Sequence, residues 1–154
     1  MNIEVKNLTK KFKNFTAVNN INFTLEKNKT LGLLGPNGCG KTTSIGMILG
    51  LITPTDGEVL IDNQNIDNSD RNDLLSKMNF ASPYIELPKK LTVIQNLEVY
   101  GRLYGVKNLK QRIEEISEEL NLNDFLYKKT GELSSGQKNR VSLAKSLINK
   151  PEVL

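Results

Sequence analysis

An α/β fold is what this 154-residue sequence predicts, and three features of its patterning predict it. Apolar and polar positions alternate near the N-terminus, an apolar run then enters a glycine-rich loop, and the second half shifts to helical spacing. Ile3, Val5 and Leu8, and later Ile21, Phe23 and Leu25, keep the period of two expected of half-buried antiparallel strands. Thr30-Leu31-Gly32-Leu33-Leu34 is a compact apolar run bounded by turn residues, which suits a fully buried strand. It leads into Gly35-Pro36-Asn37-Gly38-Cys39-Gly40-Lys41-Thr42. Ile45, Ile48, Leu49 and Ile52 then hold helical spacing until Pro54. Asp56-Gly57 marks a turn into the strand Glu58-Val59-Leu60-Ile61, and residues 77–81 suit another short strand.

From Thr92 the texture is helical. Val93, Leu97, Tyr100, Leu103 and Tyr104 share one face as far as Gly105, so both tyrosines are read as core. Ile113, Ile116, Leu120 and Leu122 define a second helix, and its Glu114, Glu115, Glu118 and Glu119 read as solvated surface. Residues 124–127 suit a short turn. Leu133-Ser134-Ser135-Gly136-Gln137 precedes a helix carrying Val141, Ala144, Leu147 and Ile148. Pro151 ends it, and Pro151-Glu152-Val153-Leu154 begins an apolar strand.

Composition removes several classes of chemistry. With no His, there is no His-ligated zinc site, no Ser-His-Asp triad and no imidazole acid–base catalysis. One Cys rules out an internal disulfide framework and fits a reducing compartment. The apolar stretch over residues 45–52 is far short of the ~20 residues that span a bilayer. The N-terminus lacks the apolar centre of a signal peptide, so an intracellular domain is expected. The net charge of +4 comes from scattered Lys and Arg rather than a stripe, and no nucleic-acid partner is expected.

Residues 35–42 satisfy G-x-x-x-x-G-K-[ST], with a strand expected before and a helix after. Glycines let the backbone turn so that successive N–H groups converge on phosphate oxygens. The helix that follows adds its partial positive N-terminus. Lys41 is the catalytic candidate, directing a full charge at the β- and γ-phosphates, and the Thr42 hydroxyl is placed to ligate Mg²⁺. Thr43 adds a further hydrogen bond. The nucleotide-binding set is thus Gly35, Pro36, Asn37, Gly38, Cys39, Gly40, Lys41, Thr42 and Thr43, with Cys39 a small loop filler rather than a nucleophile.

With that loop, Leu133-Ser134-Ser135-Gly136-Gln137 resembles the ABC ATPase family, whose signature reads L-S-G-G-Q. Leu143-Ala144-Lys145-Ser146-Leu147 and Pro151-Glu152-Val153-Leu154 extend the match. Leu91-Thr92-Val93-x-x-Asn96-Leu97 and Arg102-Leu103-Tyr104-Gly105 resemble the exporter-type branch of ABC transporters. The resemblance implies a P-loop NTPase core with an N-terminal antiparallel β part. It also implies an inserted helical subdomain at about residues 92–147 within a single partial domain, 1–154. Its cofactors are ATP and Mg²⁺, and Phe12 stands where the family stacks an aromatic ring on adenine; packing beside Phe15 and Phe23 is the alternative. Ser134 or Ser135 caps the signature helix, with Gln137 in its first turn, and Gly136 leaves room for phosphate. The family turns this terminus toward ATP held by a second subunit, which implies a head-to-tail dimer. The implied function is the ATP-binding subunit of a transporter, hydrolysing ATP to drive substrate through separate permease subunits on the inner face of the membrane.

Two departures bear on activity. The register of the family's loop Gln falls on Pro83 in Phe80-Ala81-Ser82-Pro83-Tyr84, leaving Ser82 as a weaker substitute ligand. The sequence also ends where the family continues into a strand tipped by an Asp that holds Mg²⁺ and a Glu that polarises water, followed by a later His. The resemblance therefore implies the N-terminal portion of a domain, incomplete at its C-terminus, that is deficient in hydrolysis by itself. The alternatives are a non-catalytic nucleotide-binding regulator and a soluble ABC ATPase acting on ribosomes or DNA.

Overall fold

The N-terminal alternation becomes an antiparallel hairpin whose pairing shifts register three times. In β1 (Ile3–Phe12), Ile3 and Val5 are buried at odd positions and Leu8 at an even one. Asn7, at φ 51°, absorbs the extra residue, and the pairing with β2 (Phe15–Leu25) shifts register between Val5 and Leu8. A computed structural model describes residues 1–67, 71–82 and 86–154, in two units, Met1–Leu75 and Ser76–Leu154.

In the first unit, β3 (Asp56–Ile61) and β4 (Gln64–Asn65) complete a sheet of order β2-β1-β3-β4, with every pair antiparallel. The β3–β4 turn consists of Asp62 and Asn63, both left-handed (φ 47° and 65°), the geometry that matches strand twist. The sheet's buried Val5, Leu8, Val59 and Ile61 form the core of this unit with Met47 of α1 (Lys41–Ile48). Each contributes about 1.5–3 kcal/mol by leaving water. The short α2 (Arg71–Ser76) buries Leu74.

The second unit is helical. α3 (Val93–Leu103), α4 (Leu109–Glu119) and α5 (Ser135–Leu147), with 3-10 turns at Asn123–Phe125 and Thr130–Glu132, enclose a core centred on Val93, Leu97, Ile116, Leu122, Val141 and Ile148. Gly105 (φ 66°) ends α3 as expected: its N–H bonds Arg102 O and that of Val106 bonds Gly101 O.

Several expectations are corrected. Residues 30–34 form no strand, and Leu34 is 93% exposed. A buried parallel strand needs ladder partners and covered faces, and no described strand pairs with this run. α1 stops at Ile48 rather than continuing toward Pro54, because Gly50 (φ 64°) closes it: Leu51 N bonds Gly46 O, and Gly50 N bonds Met47 O. Its buried side is Ser44, Gly46 and Met47, while Ile45, Ile48 and Leu49 are only half-buried.

In α3, Leu103 and Tyr104 are exposed and Tyr100 is half-buried; the buried stripe runs through Val93, Leu97 and Gly101. Gly101 sets that stripe, since a Cβ there would collide with Leu109 Cδ1 where α4 crosses closely. Residues 77–81 and the Pro151 run contribute one parallel bridge, Met78 to Val153, rather than two strands. The Glu-rich face of α4 is solvated at Glu114, Glu118 and Glu119, but Glu115 pairs with Lys150 at 3.1 Å and with buried Arg112 at 3.2 Å. Arg112 in turn donates to Leu147 O and Ile148 O at the end of α5.

Candidate functional site

The glycine-rich loop is shaped by left-handed residues and a close approach. Gly38 and Gly40 have φ 83° and 92°, and Gly40 occupies the N-cap position of α1. A Cβ on Gly40 would collide with the Ala17 carbonyl of β2, so a side chain is barred by space as well as by conformation. No side chain caps α1, and no acidic residue stands in its first turn. The N–H groups of that turn have no acceptor within the helix, which leaves its positive end open.

Lys41 folds back over the loop. Its Nζ donates to Gly35 O at 2.6 Å and Pro36 O at 2.7 Å, and lies 3.8 Å from Cys39 Sγ. An ammonium has three donors, and here a thiol holds the weakest of its three contacts. Pro36, Asn37, Gly38, Cys39 and Thr42 are exposed, and Thr43 is half-buried beside them. The arrangement combines one full positive charge, an uncapped helix start and the exposed polar side chains of Asn37 and Thr42 at one turn.

Phe12 pairs with Phe15 across the end of the β1–β2 hairpin, and both rings are exposed, at 48% and 60%. Phe12 is therefore no core residue; Lys10 Nζ stands 5.1 Å from its ring centroid.

In the second unit, the start of α5 is resolved in detail. Ser134 is the N-cap, its Oγ accepting from Gln137 N at 3.3 Å, while Gln137 Oε1 accepts from Ser134 N at 2.9 Å. This reciprocal capping box makes Ser135 the first helical residue and commits the Gln137 side chain to the chain itself. Leu133 is buried, whereas Ser134, Ser135 and Gly136 are exposed. A Cβ on Gly136 would meet nothing within 4 Å.

Ser82 is half-buried and lines a cavity of about 150 Å³ with Leu87, Thr130, Leu133 and Val141. Pro83 lies outside the described residues. Sequence reading missed Thr130, whose hydroxyl donates to Pro88 O at 2.7 Å, and Asn96, whose amide reaches the same carbonyl. Asn96 was visible only as part of a family string, and Thr130 carried no signal. Among the described residues no cluster of three or more His, Cys, Asp or Glu could hold a metal, and no helix is long and apolar enough to cross a membrane.

Comparison with known proteins identifies the family of the chain. The family model described as ABC transporter matches residues 18–154. The multidrug ABC transporter ATP-binding protein YbhF of Escherichia coli (strain K12), described as probable, is 36% identical over 99% of this chain and 26% of its own length. The spermidine/putrescine import ATP-binding protein PotA of Nitrosomonas europaea is 38% identical over 99% of this chain and 42% of its own. This chain thus spans between a quarter and a half of the curated relatives it matches. The bacterial ABC transporter cassette MJ0796, solved as a dimer, superposes with a TM-score of 0.82 at 29% identity, over 97% of this chain and 70% of that one. The chain belongs to the ABC transporter family.

Proposed function

We propose that the chain is the ATP-binding part of a transporter, binding Mg-ATP and, within the whole protein, coupling its hydrolysis to transport through separate permease subunits at the inner face of the membrane. The observation that carries this reading is the Lys41 loop: an ammonium held over the loop carbonyls beside an uncapped helix start with no acidic residue in its first turn. Phosphate oxygens displace the Cys39 thiol from Lys41 and take up the first-turn N–H groups of α1. Thr42, exposed on that turn, supplies one hydroxyl to Mg²⁺, and Phe12 offers an open ring for the adenine. Support also comes from the similar cassette MJ0796, solved with ADP and Pi at 29% identity.

Ser135 and Gly136 engage ATP held by a second copy in a head-to-tail dimer. The family resemblance implies that the carboxylates for Mg²⁺ and water come after the Pro151 run, so residues 1–154 assayed by themselves are expected to bind ATP and turn it over slowly. Mg-ATP titration together with steady-state ATPase tests the reading. Binding that Lys41→Ala weakens by roughly 70-fold, with slow turnover, supports it; absence of Mg-ATP binding refutes it.

A further inference from the structure

The residues that lead into the α5 cap are held from the side. Thr130 is 3% exposed, and its Oγ1 donates to the Pro88 carbonyl at 2.7 Å. Asn96, fully buried on α3, sends Nδ2 to the same carbonyl at 3.3 Å and to Thr92 O at 3.0 Å. Backbone bonds complete the closure: Thr130 N donates to Leu91 O and Gly131 N to Lys89 O, each at 3.0 Å. Thr92 and Lys129 add an isolated bridge. Residues 129–131 are thereby zipped onto residues 88–92, and only buried Leu133 and its neighbour Glu132 separate this zipper from the Ser134 cap.

Packing alone does not account for these side chains. Valine would fill the Thr130 site without a hydroxyl. Among the described residues Asn96 Oδ1 is buried with no hydrogen-bond partner, where an apolar residue would leave nothing unsatisfied. Proline has no N–H, so the carbonyl is the only backbone hydrogen-bonding group Pro88 offers, and two buried side-chain donors converge on it in addition to the Leu91 N–H at 3.2 Å.

We infer that Thr130 and Asn96, acting through the Pro88 carbonyl, are positioning residues that fix the direction in which α5 presents Ser135 and Gly136. The inference rests on the reading of those two residues as the surface that meets a second copy's ATP. Thr130→Val removes the hydroxyl and nearly preserves volume; Thr130→Ser restores the hydroxyl. The full chain and both variants are compared for Mg-ATP-driven self-association by sedimentation, and for Mg-ATP affinity under dilute, monomeric conditions. Thr130→Val is expected to weaken association about fivefold with unchanged nucleotide affinity, and Thr130→Ser to recover it. Native association by Thr130→Val, or an equal loss of nucleotide affinity, overturns the inference. If the unsubstituted chain itself does not associate in Mg-ATP, the reading of the α5 terminus fails and the inference falls with it.

Discussion

Replacing Lys41 with alanine separates two roles open to its ammonium: stapling the loop and holding phosphate. Its bonds to Gly35 O and Pro36 O are short, at 2.6 and 2.7 Å, but both residues are exposed. Water takes over these carbonyls once the ammonium is gone, so the two bonds together contribute only about 1 kcal/mol to the free chain. Loss of a charged hydrogen bond to phosphate is larger, at about 2.5 kcal/mol, or roughly 70-fold in affinity.

Thermal unfolding with and without Mg-ATP reads both terms. Nucleotide at 100 times the native Kd stabilises the native chain by about 2.7 kcal/mol, a rise of about 8 °C in Tm. The same concentration stabilises the variant by only about 0.5 kcal/mol, a rise of under about 2 °C. Without nucleotide the variant should melt about 3 °C lower. A variant that melts much lower without nucleotide yet gains the full 8 °C or so with it would show that Lys41 only staples the loop.

Three other outcomes are expected. Cys39, exposed beside the Lys41 ammonium, should be alkylated readily and shielded by Mg-ATP; equal labelling with and without nucleotide contradicts its place in the phosphate site. Ser134→Ala removes the α5 cap and should lower stability by about 1 kcal/mol, read by denaturant titration, whereas Ser135→Ala leaves the cap intact and should not. The Glu115 carboxyl is held below the ordinary glutamate range by a hydrogen bond from Lys150 and another from Arg112. A depressed folded value means that this stabilisation is present above the unfolded range and is lost as pH falls through the folded value. Glu115→Gln should therefore flatten the acid side of a Tm-against-pH curve, and an unchanged acid limb would show that the pair contributes nothing.

What could be read in advance was local. The helix after the glycine-rich loop, the strand character of β1 and β2 and the Gly105 stop depend on near neighbours, and each forms, although the β1 alternation changes phase at Asn7. Ser134 and Gln137, three apart, spell a capping box, though which serine caps the helix emerged only from the backbone. The strand expected at residues 30–34 depends instead on distant partners, and its apolar content says nothing of whether a ladder is available. The inward face of α3 was misjudged because Gly101, which carries no hydrophobic signal, admits Leu109 and sets the crossing. Thr130 and Arg112 were illegible for a similar reason: both act on carbonyls 35 or more residues away in sequence, and polar residues at such range have no period.

The two helix starts that carry the functional reading are built differently. α1 begins at a left-handed glycine with no side-chain cap, so its N-terminal donors are left for a ligand. α5 begins with a complete capping box, and an ordinary serine cap accounts fully for Ser134 and Gln137. It does not account for Gly136. That residue has no positive φ, and none of the described residues would meet a side chain there, so neither conformation nor packing among them requires glycine. Near a helix start glycine costs up to about 1 kcal/mol against alanine. That lack of an internal requirement favours the proposed reading, in which Ser135 and Gly136 receive phosphate held by a second copy, over the reading of a cap alone.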